Sequence, residues 1–181
     1  MSPARYTGTA VILHWLAALL ILGNVAFGLY IVDLPLSPSK LRYYSWHKWA
    51  GVIVFLLSAV RLLWRLSHRP PVLPASMPAW QRRAASLTHG LLYMLFFAAP
   101  FSGWLFSSAA GFPTVYLGLV QLPDLLAKNR ELADVLKVVH RVVTWSLAAL
   151  AVLHAAAAIK HHVVDRDDVL HRMLPFIKPG T

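Results

Sequence analysis

Four long apolar runs decide what this chain can fold into. Residues 10–32, 84–110 and 142–159 contain no Asp, Glu, Lys or Arg, and residues 49–64 contain only Arg61. Each run approaches or exceeds the about 20 residues that a helix needs to cross a bilayer. Charged residues make up only 13% of the chain, whereas a soluble domain carries roughly 25%. The sequence therefore predicts an all-α integral membrane protein.

The first run is also compatible with a cleaved signal peptide, but its length argues against that interpretation. Its 23 residues exceed the about 7–15 apolar residues of a signal sequence, and no clear A-x-A cleavage site follows. We therefore expect one transmembrane four-helix bundle over residues 1–181. The helices are predicted at about 10–32, 46–66, 84–110 and 138–162.

The Lys and Arg residues that flank the runs predict the orientation, because cytoplasmic loops carry an excess of them. If the N-terminus is inside, the cytoplasmic side has ten of these residues: Arg5, Arg61, Arg65, Arg69, Arg82, Arg83, Lys160, Arg166, Arg172 and Lys178. The outer side then has seven: Lys40, Arg42, Lys48, Lys128, Arg130, Lys137 and Arg141. We expect both termini in the cytoplasm.

The residues that are absent exclude several kinds of chemistry. The chain has no cysteine, which excludes disulfides, thiolate-held iron–sulfur clusters and covalent haem attachment. It also has no Gly-rich phosphate loop, nucleophile elbow or H-E-x-x-H motif. The net charge of +10 is explained by lipid headgroups beside the helix ends, so no nucleic acid partner is expected. Any chemistry must depend on the nine histidines.

Four histidines form two pairs of equal depth in the predicted bundle. His140 and His154 are fourteen residues apart on the fourth helix, so they face nearly the same side and stand roughly 21 Å apart. Counting along the helices brings His14 to the cytoplasmic depth of His154. The same count brings His47 to the outer depth of His140.

This pattern suits two bis-histidine haem b groups, in which two neutral imidazoles bind one iron from opposite faces. Helical bundles commonly build cofactor sites from side chains on facing helices. Zinc is the rival metal, but it prefers four ligands at one site, and here the pairs are far apart. A lone histidine near a helix end is more often packed than bound to a metal, so the prediction depends on the matched depths.

His89 opens the third helix at the depth of His14 and His154. It can replace one of them as a ligand, contact a haem propionate, or simply pack, and we favour a role other than ligand. Gly51 is one turn from His47, and Gly23 and Gly28 interrupt the first helix. Glycine permits the close approach of a flat ring, although membrane helices use it for helix contacts just as often.

Four segments resemble the bacterial cytochrome b561 family: HWLAALLI at 14–21, WHKWAGVIVFLLSAVRLLWRL at 46–66, THGLLYMLFFAAPFSGWL at 88–105 and LHAAAAIKHHVVDRDDVLHRMLP at 153–175. The similarity covers nearly the whole chain and is greatest to the dihaem superoxide:ubiquinone oxidoreductases. It implies haem ligation by His14 with His154 and by His47 with His140. It also implies a bacterial inner-membrane protein that takes electrons from superoxide outside and passes them to ubiquinone.

Cations surround the outer histidines in the sequence. Lys48 adjoins His47, while Lys137 and Arg141 flank His140. They can steer a small anion such as superoxide toward this end. The alternative is that they pair with haem propionates or lipid headgroups. The intervening segment 129–139 is expected to extend the fourth helix above the membrane or to lie at the interface.

The segment after the fourth helix suits a quinone headgroup, which needs hydrogen-bond partners and proton donors at the membrane boundary. Lys160, His161 and His162 are the candidate residues, with Asp165 or Asp167 relaying protons. The alternative is an ordinary solvated helix end, where basic residues are favoured by the helix dipole and the lipid surface.

Two other functions remain open at this point. The chain can be the cytochrome b subunit of a larger oxidoreductase that carries electrons from a hydrogenase or formate dehydrogenase to quinone. Its short outer loops, at about 33–45 and 111–139, show no obvious docking module, so no obligate protein partner is expected. A non-redox, histidine-lined carrier of metal ions or protons is the alternative from a different class.

Overall fold

The computed structural model describes residues 5–74, 77–174 and 176. Lys178, one of the cations used to predict the orientation, lies outside these residues. Four long helices make up most of the described chain: α1 (Gly8–Asp33), α2 (Pro38–Ser67), α3 (Ala79–Ala109) and α4 (Arg130–Lys160). All four are long and apolar enough to cross a membrane. The protein is therefore an all-α, multi-pass membrane bundle, as the sequence predicts.

Three of the helices begin well before the bounds expected from the apolar runs. The Ser37 hydroxyl accepts the N–H of Lys40, and Pro38 follows at the first helical position, where a proline is favoured. The Asn129 side chain accepts the N–H of Leu132 at the start of α4. The apolar runs mark only the part of a helix that suits lipid, so these polar caps fell outside the prediction. His47, His89 and His140 consequently lie well inside their helices, which corrects the expectation that His89 opens the third helix and that the other two stand near the starts of theirs.

Segment 129–139 does continue α4, which is one of its two expected placements. At the other end, α4 passes into a single π-helical turn, His161–Asp165. Arg166 then adopts a left-handed backbone with φ of 53° and ends the helix. The connection between α3 and α4 holds a small antiparallel hairpin, β1 (Val115–Tyr116) and β2 (Val120–Gln121).

The bundle interior is built from three layers that follow a seven-residue spacing along each helix. Two turns of helix separate residues seven apart, so they return to nearly the same face. The middle layer is apolar and part of the buried core: Ile21, Val54, Phe96 and Leu147. Seven residues toward the outer end, the layer consists of Gly28, His47, Gly103 and His140. Seven residues toward the inner end, the third layer consists of His14, Arg61, His89 and His154.

The helices pack in sequence, α1 on α2, α2 on α3 and α3 on α4, while α1 and α4 scarcely touch. At the inner end, the segment after the π-helical turn closes over the bundle. The Trp15 indole N–H donates to the carbonyl of Met173 at 2.8 Å. The Arg172 guanidinium donates to the carbonyl of Val72 at 2.6 Å. The C-terminal segment thus joins α1 to the loop between α2 and α3.

Candidate functional site

The structure brings together the two histidines expected at the outer end. The ring centroids of His47 and His140 lie 6.3 Å apart with an interplanar angle of 77°. Both side chains are half-buried. They come from α2 and α4, two helices that do not pack directly on each other. The two rings therefore approach each other from helices that make no contact of their own.

Hydrogen bonds fix the orientation of the His140 ring. Its Nδ1 lies 3.1 Å from the carbonyl oxygen of Ala99 and 3.0 Å from the Ser102 hydroxyl. Because the carbonyl only accepts, Nδ1 carries the proton of the neutral ring and Nε2 keeps its lone pair. Metal-bound histidines use this arrangement, in which a carbonyl holds one ring nitrogen and the metal takes the other. Nδ1 of His47 is buried without a hydrogen-bond partner.

Two glycines lie against the outer rings. A Cβ added at Gly28 would stand 2.9 Å from Cε1 of His47, and one added at Gly103 would stand 3.0 Å from Cε1 of His140. Nothing lies within 4 Å of a Cβ added at Gly23 or Gly51. Of the glycines singled out from the sequence, only Gly28 therefore makes room for a ring. The structure adds Gly103.

The second expected pair is also brought together, at the inner end. The ring centroids of His14 and His154 lie 6.2 Å apart, across the side of the bundle where α1 and α4 scarcely touch. His89 lies closer to His154, with centroids 5.2 Å apart. The inner site therefore gathers three imidazoles where the outer site has two.

Arg61 completes the inner site. Its Nη2 lies 2.9 Å from Nδ1 of His14. The guanidinium carbon is 5.3 Å from the ring centroid of Tyr93 and 5.8 Å from that of Phe96, within the range of cation–π attraction. Since a guanidinium only donates, Nδ1 of His14 is the acceptor in this contact.

The spacing of the rings can be tested against metal ligation. Metal–imidazole bonds are about 2 Å long, so two rings on opposite faces of one metal have centroids about 6 Å apart. The pairs at 6.3 and 6.2 Å meet this spacing, whereas His89 and His154 at 5.2 Å are too close. One feature of the inner site does not fit directly. Ligation through Nε2 of neutral His14 requires the proton on Nδ1, so the contact with Arg61 must then be replaced.

The three cations near the outer histidines differ in their surroundings. Lys48 is half-buried, and its ammonium donates to the Ser107 hydroxyl and to the carbonyls of Phe112 and Pro113. It therefore ties α2 to the loop before the hairpin. Lys137 and Arg141 are exposed on α4.

Two of the three candidate quinone residues, Lys160 and His161, contact acidic side chains. Nδ1 of His161 lies 2.8 Å from Asp167 and 2.9 Å from Asp165, and Lys160 lies 2.6 Å from Asp165. Nδ1 of His162 is buried without a hydrogen-bond partner. His161 and Asp167 thus form an imidazole–carboxylate pair at the end of α4.

An opening of about 360 Å³ lies nearby on the inner side, between the start of α1 and the C-terminal segment. Its lining combines apolar with basic residues, among them Tyr6, Val11, Ile12, His171 and Arg172. Because it adjoins the inner end of the bundle, it is a second place where a headgroup can reach the protein.

Comparison with known proteins decides the family. The model of the prokaryotic cytochrome b561 family matches residues 5–176. The chain belongs to the prokaryotic cytochrome b561 family. Proteins of this family are membrane electron-transfer proteins that bind haem b. This confirms the resemblance read from the four sequence segments.

Relatives match over nearly their whole length. The chain is 36% identical to cytochrome b561 homolog 2 of Escherichia coli, with 96% of this chain and 93% of the relative covered. It is 32% identical to cytochrome b561 homolog 1 of the same organism, covering 94% and 97%. It is 29% identical to the probable superoxide oxidase CybB of Yersinia pestis, covering 94% and 96%.

In this cytochrome b561-family chain, several residues that contact the histidines were not predicted from the sequence, among them Arg61, Ser102 and Gly103. In the sequence, Arg61 indicates only the orientation of the chain in the membrane. The seven-residue spacing would have found two of them, because Arg61 is fourteen residues from His47 and Gly103 is fourteen from His89. Ser102 has no such signal, since its contact depends on how α3 packs on α4.

Proposed function

We propose that this protein is a dihaem superoxide:ubiquinone oxidoreductase. The observation that carries the proposal is the presence of two histidine pairs with metal-compatible spacing, 6.3 and 6.2 Å, at opposite ends of α4. His47 with His140 would hold an outer haem b, and His14 with His154 an inner one. Each haem supplies a one-electron iron couple when bound.

Superoxide is the proposed electron donor. The similarity to a probable superoxide oxidase supports this choice, as do the exposed cations Lys137 and Arg141 beside the outer pair, which attract a small anion. Lys48 belongs to the same positive region, although its hydrogen bonds also give it a role in holding the loop. Two superoxide ions lose one electron each to become O2.

Ubiquinone is the proposed acceptor, at the inner end beside Lys160, His161 and His162. One ubiquinone takes up the two electrons and two protons to become ubiquinol. The contact of His161 with Asp167 supports a proton-delivering role, because a carboxylate on Nδ1 fixes the orientation of the imidazole. In this proposal the protein lies in the bacterial inner membrane with the outer pair toward the periplasm and both termini in the cytoplasm.

Haem content tests the assignment of the pairs. The purified parent protein should contain two haems b per chain, both extractable with acidified solvent because no cysteine can tether them. His154→Leu should lose one haem or leave it five-coordinate, while the matched variant His89→Leu should keep two. The measurement is the haem-to-protein ratio from the reduced absorbance spectrum. A ratio near one in the parent, or haem loss in His89→Leu alone, contradicts the assignment.

The same variants test the direction of electron flow. His154→Leu should keep its rapid absorbance change with superoxide in stopped flow but should fail to reduce ubiquinone. His140→Leu should lose the response to superoxide and keep the response to ubiquinol. Full quinone reductase turnover in His154→Leu would show that another residue is the inner ligand. His89 would then be the leading candidate.

Ionic strength tests the steering of superoxide. Replacing Lys137 and Arg141 together with Gln should slow the reaction with superoxide most at low salt, where exposed charges are least screened. The double replacement of Arg82 and Arg83 with Gln removes the same charge from the opposite side and should leave the rate unchanged. A parent rate that does not depend on salt contradicts steering.

A further inference from the structure

Arg61 carries a charge inside a membrane bundle, where placing a charged side chain costs free energy. It is the only Asp, Glu, Lys or Arg in residues 49–64. Among the described residues, every ion pair lies within 160–172, so no carboxylate pairs with Arg61. Its partners are the aromatic rings of Tyr93 and Phe96 and the imidazole of His14. Ionisable residues inside membrane spans are rare and usually mark a functional site.

Arg61 also makes the two histidine sites electrically different. The outer layer has glycines, Gly28 and Gly103, beside its two histidines. In the inner layer, His89 takes the α3 position of Gly103, and Arg61 takes the α2 position that His47 has at the outer end. The cation next to His47 on α2 is the half-buried Lys48, whose ammonium donates to carbonyls beyond the end of α3. A fixed positive charge therefore touches an inner ligand and no outer one.

A fixed cation favours the form of a nearby redox centre that has gained an electron, because the added negative charge is attracted to it. This attraction is stronger in a low-dielectric interior than in water, and charge around a metal site tunes its potential. If His14 binds iron through Nε2, its Nδ1 carries a proton and no longer accepts from Arg61. The guanidinium then needs an anion, and a haem propionate is a carboxylate that matches its fork of donors.

We propose that Arg61 is a positioning residue that raises the reduction potential of the inner haem above that of the outer haem. The inward transfer of each electron, from the superoxide side to the quinone side, is thereby downhill. This inference rests on the proposed function, because it uses the assignment of His14 and His154 to an inner haem.

The test is a redox titration of purified protein followed by absorbance, with two midpoints fitted. Arg61→Gln keeps a hydrogen-bonding group but removes the charge. It should lower one midpoint and leave the other in place, reducing the outer-to-inner equilibrium constant by about tenfold or more, which is about 59 mV for one electron. Arg61→Lys restores the charge and should recover most of the shift. In the His154→Leu background, Arg61→Gln should leave the midpoint of the outer haem unchanged.

Arg65→Gln is the matched control. Arg65 lies one turn further along α2, with its guanidinium 5.6 Å from the same Tyr93 ring, and among the described hydrogen bonds only Arg61 reaches His14. It should shift the midpoints much less than Arg61→Gln.

Two unchanged midpoints in Arg61→Gln with both haems retained would overturn the inference. Loss of the inner haem in both Arg61→Gln and Arg61→Lys would also overturn it, because the guanidinium would then be needed for assembly and not for its charge. A parent with only one haem, or with two haems and no reaction with superoxide, would instead reject the proposed function. With two haems and no reaction with superoxide, the Arg61 shift is still read from the titration, whereas a parent with only one haem would overturn the inference as well.

Discussion

At the scale of single residues, the outer site depends on the absence of a side chain at Gly28 and at Gly103. These glycines leave space for the rings of His47 and His140 on the faces of α1 and α3 that point toward them. The His140 ring is also held by the Ala99 carbonyl. The outer imidazoles are thus positioned partly by hydrogen bonds and partly by absent side chains.

Gly28→Ala should disturb the outer site. The added Cβ would stand 2.9 Å from the His47 ring, and overpacking of this kind costs about 1–3 kcal/mol. We expect a lower thermal unfolding temperature and an altered spectrum of one haem, measured by heating in detergent and by low-temperature absorbance. Gly51→Ala is the control, since it has no neighbour within 4 Å and alanine is favoured in a helix by about 0.5–1 kcal/mol. If both variants behave like the parent, the His47 ring has more freedom than this contact implies.

At the scale of elements, the hairpin is held against the bundle by indole hydrogen bonds. The Trp49 N–H donates to the carbonyl of Val115 at 2.7 Å, and the Trp104 N–H donates to that of Pro123 at 3.1 Å. Leu119 at its turn is 83% exposed. The connection between α3 and α4 is therefore anchored at its two sides and free at its tip.

Trp49→Phe should loosen the hairpin without unfolding the bundle. It removes one hydrogen bond, worth about 0.5–1.5 kcal/mol, and keeps an aromatic ring. Limited proteolysis from the outer side should cut within residues 111–129 faster than in the parent. Trp80→Phe, at a residue that is 69% exposed on the inner side, should leave the cleavage rate unchanged. Equal rates in all three proteins would mean that Lys48 and Trp104 hold the loop without the Trp49 hydrogen bond.

The elements also show which parts of the structure were accessible from sequence. The four spans were predictable, because lipid requires long charge-free runs. Their starts were not, since Ser37 and Asn129 cap the helices within polar segments. The meeting of His47 with His140 and of His14 with His154 follows from counting depth along the helices. The contact of His140 with Ala99 depends on helix rotation and packing, which counting does not supply.

At the scale of the whole molecule, the absence of cysteine makes the proposed orientation easy to test. Leu36→Cys introduces a thiol at a residue that is 83% exposed between α1 and α2, and Val164→Cys introduces one at a residue that is 67% exposed after α4. In intact cells with a permeabilised outer membrane, a membrane-impermeant maleimide should label Leu36→Cys alone. Val164→Cys should react only after the inner membrane is broken. The reverse pattern would invert the orientation and exchange the proposed superoxide and quinone sides.

The position of α4 in both ring pairs has a consequence for biosynthesis. His14 and His47 leave the ribosome early, whereas His140 and His154 belong to the helix that is made last. At about 5–20 residues per second, roughly five to twenty seconds separate the synthesis of His47 from that of His154. Neither pair is complete before α4 has been made, so under the proposed function we expect each haem to gain its second ligand only after that helix has entered the membrane. When α4 enters the membrane, it completes the bundle on the side where it scarcely touches α1.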